Sequence, residues 1–150
     1  SGSGRFATDP SGRPLWGLTM SARDMARVGL LVQRGGTWDS HPVLRDAAYL
    51  DAALTSSSDA NPSYGYLWWL NGKAGHRLGE AGALQPGPLI PDAPDDTVAA
   101  LGLDDQKIYS SRSTGLVLVR QGGRGGTGPR EALSSFDTEL WRAVMAARPS

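Results

Sequence analysis

The acidic pair Asp104–Asp105 is the part of this 150-residue chain whose residue types and position could most readily do chemistry. The pair lies in a glycine-marked bend, residues 102–106, between two stretches that predict strands. One interpretation is that both carboxylates are solvated turn residues, because aspartate is common in turns. The other is that a carboxylate lines a cleft, where it orients a substrate amine or accepts a hydrogen bond from a catalytic side chain.

The two histidines, His41 and His76, do not predict a metal site. His41 precedes a proline in a turn, and His76 lies in a long loop. Neither has carboxylates at the spacing that metal ligation requires, and the chain has no cysteine. We therefore predict no metal and no cofactor. An enzyme that uses Asp104 or Asp105 together with His76 is an alternative that the sequence leaves open.

A serine nucleophile lacks its usual partners within this sequence. An acyl-transfer serine needs a base within reach, such as a lysine one helical turn later or a histidine held by a carboxylate. The lysines are Lys73 and Lys107, and the residues three positions before them are Leu70 and Asp104, so no Ser-x-x-Lys motif occurs. No Gly-x-Ser-x-Gly sequence occurs either. Self-contained serine catalysis is therefore not predicted.

The length and composition indicate a single domain, and the charge and the apolar runs argue against a nucleic-acid partner and a membrane span. A chain with 39% hydrophobic residues can bury a core, and its 20 glycines and 10 prolines indicate many turns. Fifteen basic and fifteen acidic residues give a net charge of zero, which lacks the positive charge expected of a nucleic-acid binder. No apolar run approaches the roughly 20 residues that span a bilayer. Residues 1–6 show no signal-peptide pattern, and the compartment stays open.

Three segments predict helices. Residues 18–35 contain Ser21 and Asp24 at capping-box spacing, then apolar residues at helical spacing, and a glycine pair at the end. A second helix is predicted over 44–54. A closing helix is predicted from 134 or 135 to about 147.

The remaining segments predict an antiparallel sheet joined by loops. Strands are predicted over residues 64–70, 97–101, 106–111 and 115–120. The loops are an extended loop over 1–17, a long loop over 73–96 and a glycine-rich connector over 122–129. Asp95 and Asp96, at the end of the long loop, fit ordinary turn chemistry. The sequence therefore predicts an α+β fold, an antiparallel sheet flanked by helices, in a single domain over 1–150.

Five stretches of the chain match, in order, the residue patterns of one enzyme family. They are residues 16–29 (WGLTMSARDMARVG), 34–38 (RGGTW), 64–69 (YGYLWW), 99–122 (the strands around the bend) and 136–141 (FDTELW). Together they resemble the C-terminal half of serine hydrolases of the beta-lactamase and penicillin-binding-protein type, in the branch of class C beta-lactamases and esterases. The resemblance implies the C-terminal part of the beta-lactamase/transpeptidase-like fold.

In that family a serine attacks an ester or amide carbonyl and an acyl-enzyme forms. By the resemblance, Leu103, Asp104 and Asp105 occupy a substrate-binding element at the cleft, and the backbone N–H of Gln106 is an oxyanion donor. Leu103 stands where the family often has a cation, and Asp105 where glycine is usual. An ester or an amine-bearing small molecule therefore fits better as a substrate than a carboxylate-bearing one.

The family's Ser-x-x-Lys and Tyr-x-Asn motifs lie before the region that this chain resembles, and neither occurs here. The resemblance therefore implies that the chain is a partial domain, inactive alone, whose partner is the missing N-terminal half. The alternative is a non-catalytic binding or interaction domain derived from the same fold.

Overall fold

A computed structural model of the chain describes residues 6–8, 11, 14–18, 20–79, 82–126 and 133–148, with only the backbone of 6–8, 14–18 and 103. The described residues form ten short strands, three α-helices and one turn of 3-10 helix at Leu103–Asp105. In chain order the elements are β1 (Phe6–Thr8), β2 (Pro14–Leu18), α1 (Ala22–Gln33), β3 (Thr37–Trp38), β4 (His41–Pro42), α2 (Ala47–Ala53), β5 (Trp69–Leu70), β6 (Gly75–His76), β7 (Gln85–Pro86), β8 (Val98–Leu101), β9 (Lys107–Ser111), β10 (Leu116–Arg120) and α3 (Ser135–Ala146).

The central sheet has the strand order β10-β9-β8-β5, and every neighbouring pair is antiparallel. Tyr109 of β9 pairs with Ala99 of β8, and Ala99 pairs in turn with Trp69 of β5. The predicted α+β fold with an antiparallel sheet is confirmed. The strands predicted over 97–101, 106–111 and 115–120 begin within one residue of the observed ones and end at the same residues.

Helix α1 packs on one face of this sheet. It begins after Ser21, whose side chain accepts the Asp24 N–H at 3.2 Å, as the capping-box spacing predicted. At Gly29 the helix lies close against the sheet, because a Cβ atom there would lie 2.6 Å from Val117 and 2.9 Å from Ile108. The helix is shorter than the predicted 18–35, since residues up to Leu18 belong to β2.

Helix α3 covers the opposite face. Adjacent strand residues point to opposite faces, so Tyr109 faces away from Ile108 and α1. The Tyr109 ring meets the Trp141 ring of α3 edge-on at 5.7 Å, and neither residue is exposed to solvent. Leu89, Ile90 and other buried residues complete this core. The helices therefore flank the sheet, as predicted.

Asn71 fixes the loop that leads into this core. Its Nδ2 donates to the carbonyls of Ile90, Ala93 and Pro94 at 3.1 Å each, and its Oδ1 accepts the Ile90 N–H at 2.8 Å. Asn71 is 4% exposed. Because one buried amide satisfies four backbone groups, residues 87–96 are held against the sheet without forming a strand.

The predicted loops differ from the structure in part. Residues 1–17, expected to be an extended loop, contain β1 and most of the antiparallel strand β2. The 73–96 loop contains β6 and β7, a pair of two-residue strands, and is otherwise irregular. Residues 122–126 of the glycine-rich connector have no regular structure, and 127–129 lie outside the described residues.

The strand predicted over 64–70 is shorter than expected. Only Trp69 and Leu70 form β5, because the Gly65 N–H donates to the Trp68 carbonyl and Leu67 takes a φ of 64°, which make a turn. The second helix, predicted over 44–54, spans Ala47–Ala53, and the closing helix spans Ser135–Ala146. None of the helices that the structure describes has the length and apolar character needed to cross a membrane.

Candidate functional site

The candidate site is the bend that joins β8 to β9. The Gly102 N–H donates to the Gln106 carbonyl at 2.8 Å, which closes the bend. Between them, Asp104 and Asp105 take φ values of 53° and 60°. Aspartate is one of the few residues besides glycine that enter this left-handed region readily. The left-handed backbone of the bend therefore already favours aspartate at both positions, whether or not the carboxylates take part in a reaction.

Asp105 is buried, and both oxygens of its carboxylate accept hydrogen bonds. Oδ1 accepts the Ser134 hydroxyl at 2.8 Å, and Oδ2 accepts the N–H groups of Gly125 and Gly126 at 2.8 and 3.1 Å. Only 3% of the side chain is exposed. A buried carboxylate needs such donors, because a charge without partners is strongly unfavourable inside a protein. Asp105 thus ties the bend to the residues before α3.

Lys107 supplies a positive charge beside this carboxylate. Its Nζ lies 3.2 Å from Asp105 Oδ1 and 3.2 Å from Asp137 Oδ2. Tyr109 donates its hydroxyl to Asp137 Oδ1 at 2.6 Å. Asp137 also accepts the Ser134 N–H at 2.8 Å, at the start of α3. We call Asp105, Lys107, Tyr109 and Asp137 the buried ion network; it joins the bend, β9 and α3.

The environment fixes the protonation of two members of the network. Burial by itself would raise the pKa of Asp105, but the hydrogen bonds from Ser134, Gly125, Gly126 and Lys107 outweigh it and hold that pKa far below its usual value. Burial, followed by the negative charge of Asp137, raises the pKa of Tyr109 far above its usual value. Asp105 is therefore ionised and Tyr109 neutral at pH 7, so Tyr109 acts as a hydrogen-bond donor.

The predicted substrate-binding residues differ in how accessible they are to solvent. Asp105 is not open to a ligand, because it is buried and its oxygens are occupied, and the structure does not support a direct contact between it and a substrate. Asp104 is exposed beside it. Leu103 begins the 3-10 turn, and its side chain lies outside the described residues. Of the acidic pair, only Asp104 presents its side chain to solvent.

Gln106, the predicted oxyanion donor, is the last residue of the bend and is half-buried. Its carbonyl accepts the Gly102 N–H, while its side-chain amide donates to the Gly122 carbonyl and accepts the Gly122 N–H at 3.4 Å. Contacts on both sides thus fix the position of its backbone. The role of its N–H as an oxyanion donor stays a prediction.

Arg120 at the end of β10 was not predicted to contribute. Its Nη1 donates to the carbonyls of Asp104 and Asp105 at 3.3 and 3.0 Å, and its guanidinium lies 4.8 Å from the centre of the Phe136 ring. A planar guanidinium can bond carbonyls and stack on a ring at the same time. Arg120 therefore braces the outside of the bend.

Sequence reasoning also missed the ion network, although two signals for it were present. Lys107, Tyr109 and Ser111 alternate along one strand face, and a lysine in line with a core tyrosine indicates a buried cation that needs partners. Ser134 and Asp137 have capping-box spacing, which places a carboxylate at the start of α3. That these two signals meet at Asp105 depends on tertiary packing.

The histidine alternative finds no geometric support. His41 Nδ1 lies 2.6 Å from the Asp39 carbonyl, and His76 Nδ1 lies 3.1 Å from the Gly87 carbonyl. Neither imidazole pairs with a carboxylate within the part of the chain that the structure describes. Among those residues, no group of three or more His, Asp or Glu side chains could hold a metal ion.

Comparison with known proteins adds no relative from which a role could be inferred. The chain matches no model of a known protein family, and it matches no curated protein sequence.

Proposed function

We propose that this chain supplies one wall of the active site of a serine hydrolase that cleaves an ester or amide through an acyl-enzyme. The attacking serine and its base lie outside these 150 residues, because no Ser-x-x-Lys motif occurs among them. The proposal rests on the ordered resemblance of five stretches to the beta-lactamase and penicillin-binding-protein type. The structural observation that supports it most is the braced bend between β8 and β9.

The contacts on both sides of the bend support the oxyanion role that we propose for it. Attack on a carbonyl places negative charge on its oxygen, and backbone N–H groups lower the barrier when they are held in position beforehand. Gly102 and Gly122 hold Gln106, and the buried ion network holds the preceding residue, Asp105. An N–H in such a place needs little reorganisation during the reaction. Gln106 is therefore the residue of this chain that we assign to the oxyanion.

Asp104 determines which substrates suit this wall. Its carboxylate is exposed at the bend, whereas Lys107 is buried and paired and the Arg120 guanidinium is engaged by the backbone carbonyls of Asp104 and Asp105. A substrate carboxylate near Asp104 would be repelled, and a neutral ester or an amine-bearing substrate would not. The proposed substrate is therefore a small ester or amide without a carboxylate next to the reacting carbonyl.

The test uses the natural polypeptide that carries this sequence and a fluorophosphonate probe, which reacts with activated serines. We expect a covalent adduct on a serine outside these 150 residues and no adduct on the 150-residue chain alone. Replacing Gln106 by its α-hydroxy acid converts the backbone N–H into an ester oxygen. We expect labelling to slow by roughly 10²–10³-fold, the effect of losing one oxyanion donor.

Gln106→Ala is the matched control, since it keeps the backbone N–H and removes only the side chain. It should label at nearly the normal rate. Equal labelling of the ester variant and the wild type would show that Gln106 is not the donor. No labelling of the natural polypeptide would overturn the hydrolase proposal and favour a non-catalytic binding or interaction domain, in which the buried ion network is purely structural.

A further inference from the structure

A cavity of about 230 Å³ lies at the other end of the sheet from the bend. It opens between the ends of α1 and α2 and the face of the sheet on which α1 packs. Its apolar wall consists of Val32, Leu54, Leu70 and Val98. The volume is below the roughly 300–1,000 Å³ of sites that hold drug-sized ligands, so the cavity suits a small metabolite.

The rim of the cavity carries both signs of charge. Lys73 and Arg112 supply the cations, and Asp95 and Asp96 supply the carboxylates. Within the described residues, the side chains of Lys73 and Asp95 form no ion pair or hydrogen bond. The Arg112 guanidinium donates to the Val32 carbonyl at 3.4 Å and forms no ion pair among the described residues. Two cations and one carboxylate at the same opening thus have no charged partner within the described part of the chain.

Asp96 differs from Asp95 because its carboxylate is occupied. Oδ1 accepts the hydroxyls of Ser111 and Ser113 at 2.9 and 2.8 Å, and Oδ2 accepts the Ser113 N–H at 2.6 Å. Burial opposes ionisation of this group, but these hydrogen bonds prevail and lower the pKa of Asp96. It therefore braces the turn between β9 and β10, and Asp95 is the carboxylate left for a ligand.

We propose that this cavity binds a free α-amino acid with a branched apolar side chain. The ligand's carboxylate pairs with Lys73 and Arg112, and its ammonium pairs with Asp95. The apolar side chain packs against Leu70 and Val98. A ligand with one charge would leave one sign at the rim unpaired, whereas a zwitterion satisfies both. The site is separate from the bend and does not depend on the hydrolase proposal.

Isothermal titration calorimetry of the natural polypeptide tests the chemical class. L-leucine carries an ammonium, a carboxylate and a branched apolar side chain. Three analogues each lack one of these groups: isocaproate lacks the ammonium, isoamylamine the carboxylate and glycine the apolar side chain. We expect L-leucine to bind at one site and each of the others to bind roughly tenfold or more weakly. An analogue that binds as tightly as L-leucine, or no binding of L-leucine, would overturn the proposal.

Variants place the binding in this cavity. Lys73→Ala and Asp95→Ala should each weaken L-leucine binding by roughly tenfold, since each removes a charge-assisted hydrogen bond. Arg23→Ala and Asp59→Ala remove the same charges at exposed positions that do not line the cavity, and should leave affinity unchanged. Unchanged binding in both cavity variants would contradict the site. Because these variants do not touch the bend, loss of L-leucine binding and loss of fluorophosphonate labelling are separable results.

Discussion

Lys107 in β9 and Asp137 in α3 form an ion pair at 3.2 Å in which neither side chain reaches solvent. The pair joins a strand to a helix that follows the glycine-rich connector in the sequence. Asp105 adds a second carboxylate to the same ammonium. Two carboxylates around one cation leave a net negative charge, which is tolerated because Tyr109, Ser134 and two backbone amides also donate to them. The stability of the bend therefore depends on side chains far apart in the sequence.

Lys107→Met should lower the free energy of unfolding by about 3–5 kcal/mol, because it leaves two buried carboxylates without their cation. Urea denaturation at pH 7 measures the change. Lys73→Met is the matched control, since this half-buried lysine forms no ion pair among the described residues and should shift stability by about 0.5 kcal/mol or less. If Lys107→Met fails to fold, adding Asp137→Asn should restore part of the stability. Equal effects of the two lysine variants would contradict this account.

Stability should fall as pH decreases below about 4. The pKa of Asp105 is lower in the folded state than its ordinary value of 3.8, so the unfolded chain binds protons first as the pH drops. The stabilisation is complete above the unfolded pKa and is lost as pH falls toward the folded one. Urea midpoints between pH 2 and pH 7 measure it. Asp105→Asn should be less stable at pH 7 and vary less with pH, whereas Asp59→Asn, at an exposed position, should follow the wild type.

Gly29→Val should destabilise the protein by about 1–3 kcal/mol through overpacking. Even a Cβ atom at this position would lie 2.6 Å from Val117 Cγ1 and 2.9 Å from Ile108 Cγ2, so α1 must move off the sheet. Thermal unfolding with and without urea measures the loss. Ala52→Val, at an exposed position of α2, adds the same branched side chain without a neighbour to displace and should cost only a few tenths of a kcal/mol. A Gly29→Val protein as stable as the wild type would mean that α1 does not pack this closely.

Leu67→Gly should stabilise the protein by about 0.5–1 kcal/mol. Leu67 is 81% exposed and has a φ of 64°, so the substitution relieves an unfavourable backbone conformation and sacrifices little packing. Leu67→Ala keeps the same backbone restriction and should show no such gain. A chemical denaturation series on the three proteins separates the two effects. An equal gain in both variants would mean that removing the leucine side chain, not its backbone conformation, is what matters.

The parts of the fold that sequence predicted are those with local causes. Ser21 and Asp24 mark the start of α1 because a capping box is complete within one turn. The strands on either side of Gly102 were predicted because β-branched and apolar residues cluster there. The shortening of β5 was not predicted, because the left-handed conformation of Leu67 has no sequence signal of the kind that glycine provides.

The candidate site was harder to predict for a different reason. The sequence singled out the acidic pair, but it could not distinguish the exposed Asp104 from the buried Asp105. That distinction arises from Ser134 and Asp137, some thirty positions along the chain, and no local pattern reports which residues a fold brings together. The cavity at the opposite end of the sheet has the same origin, since Lys73, Asp95 and Arg112 meet only after folding.

The fold also affects how readily the Asn71 side chain loses its amide group by deamidation. Asparagine followed by glycine, as in Asn71–Gly72, loses its amide most readily, because the next backbone nitrogen can attack the side-chain carbonyl without hindrance. In the folded chain four hydrogen bonds hold that amide still. An aspartate at this position would turn a carboxylate oxygen toward the carbonyls of Ile90, Ala93 and Pro94, in place of the amide that donates to them. We therefore expect Asn71 to lose its amide more slowly in the folded protein than in the unfolded chain.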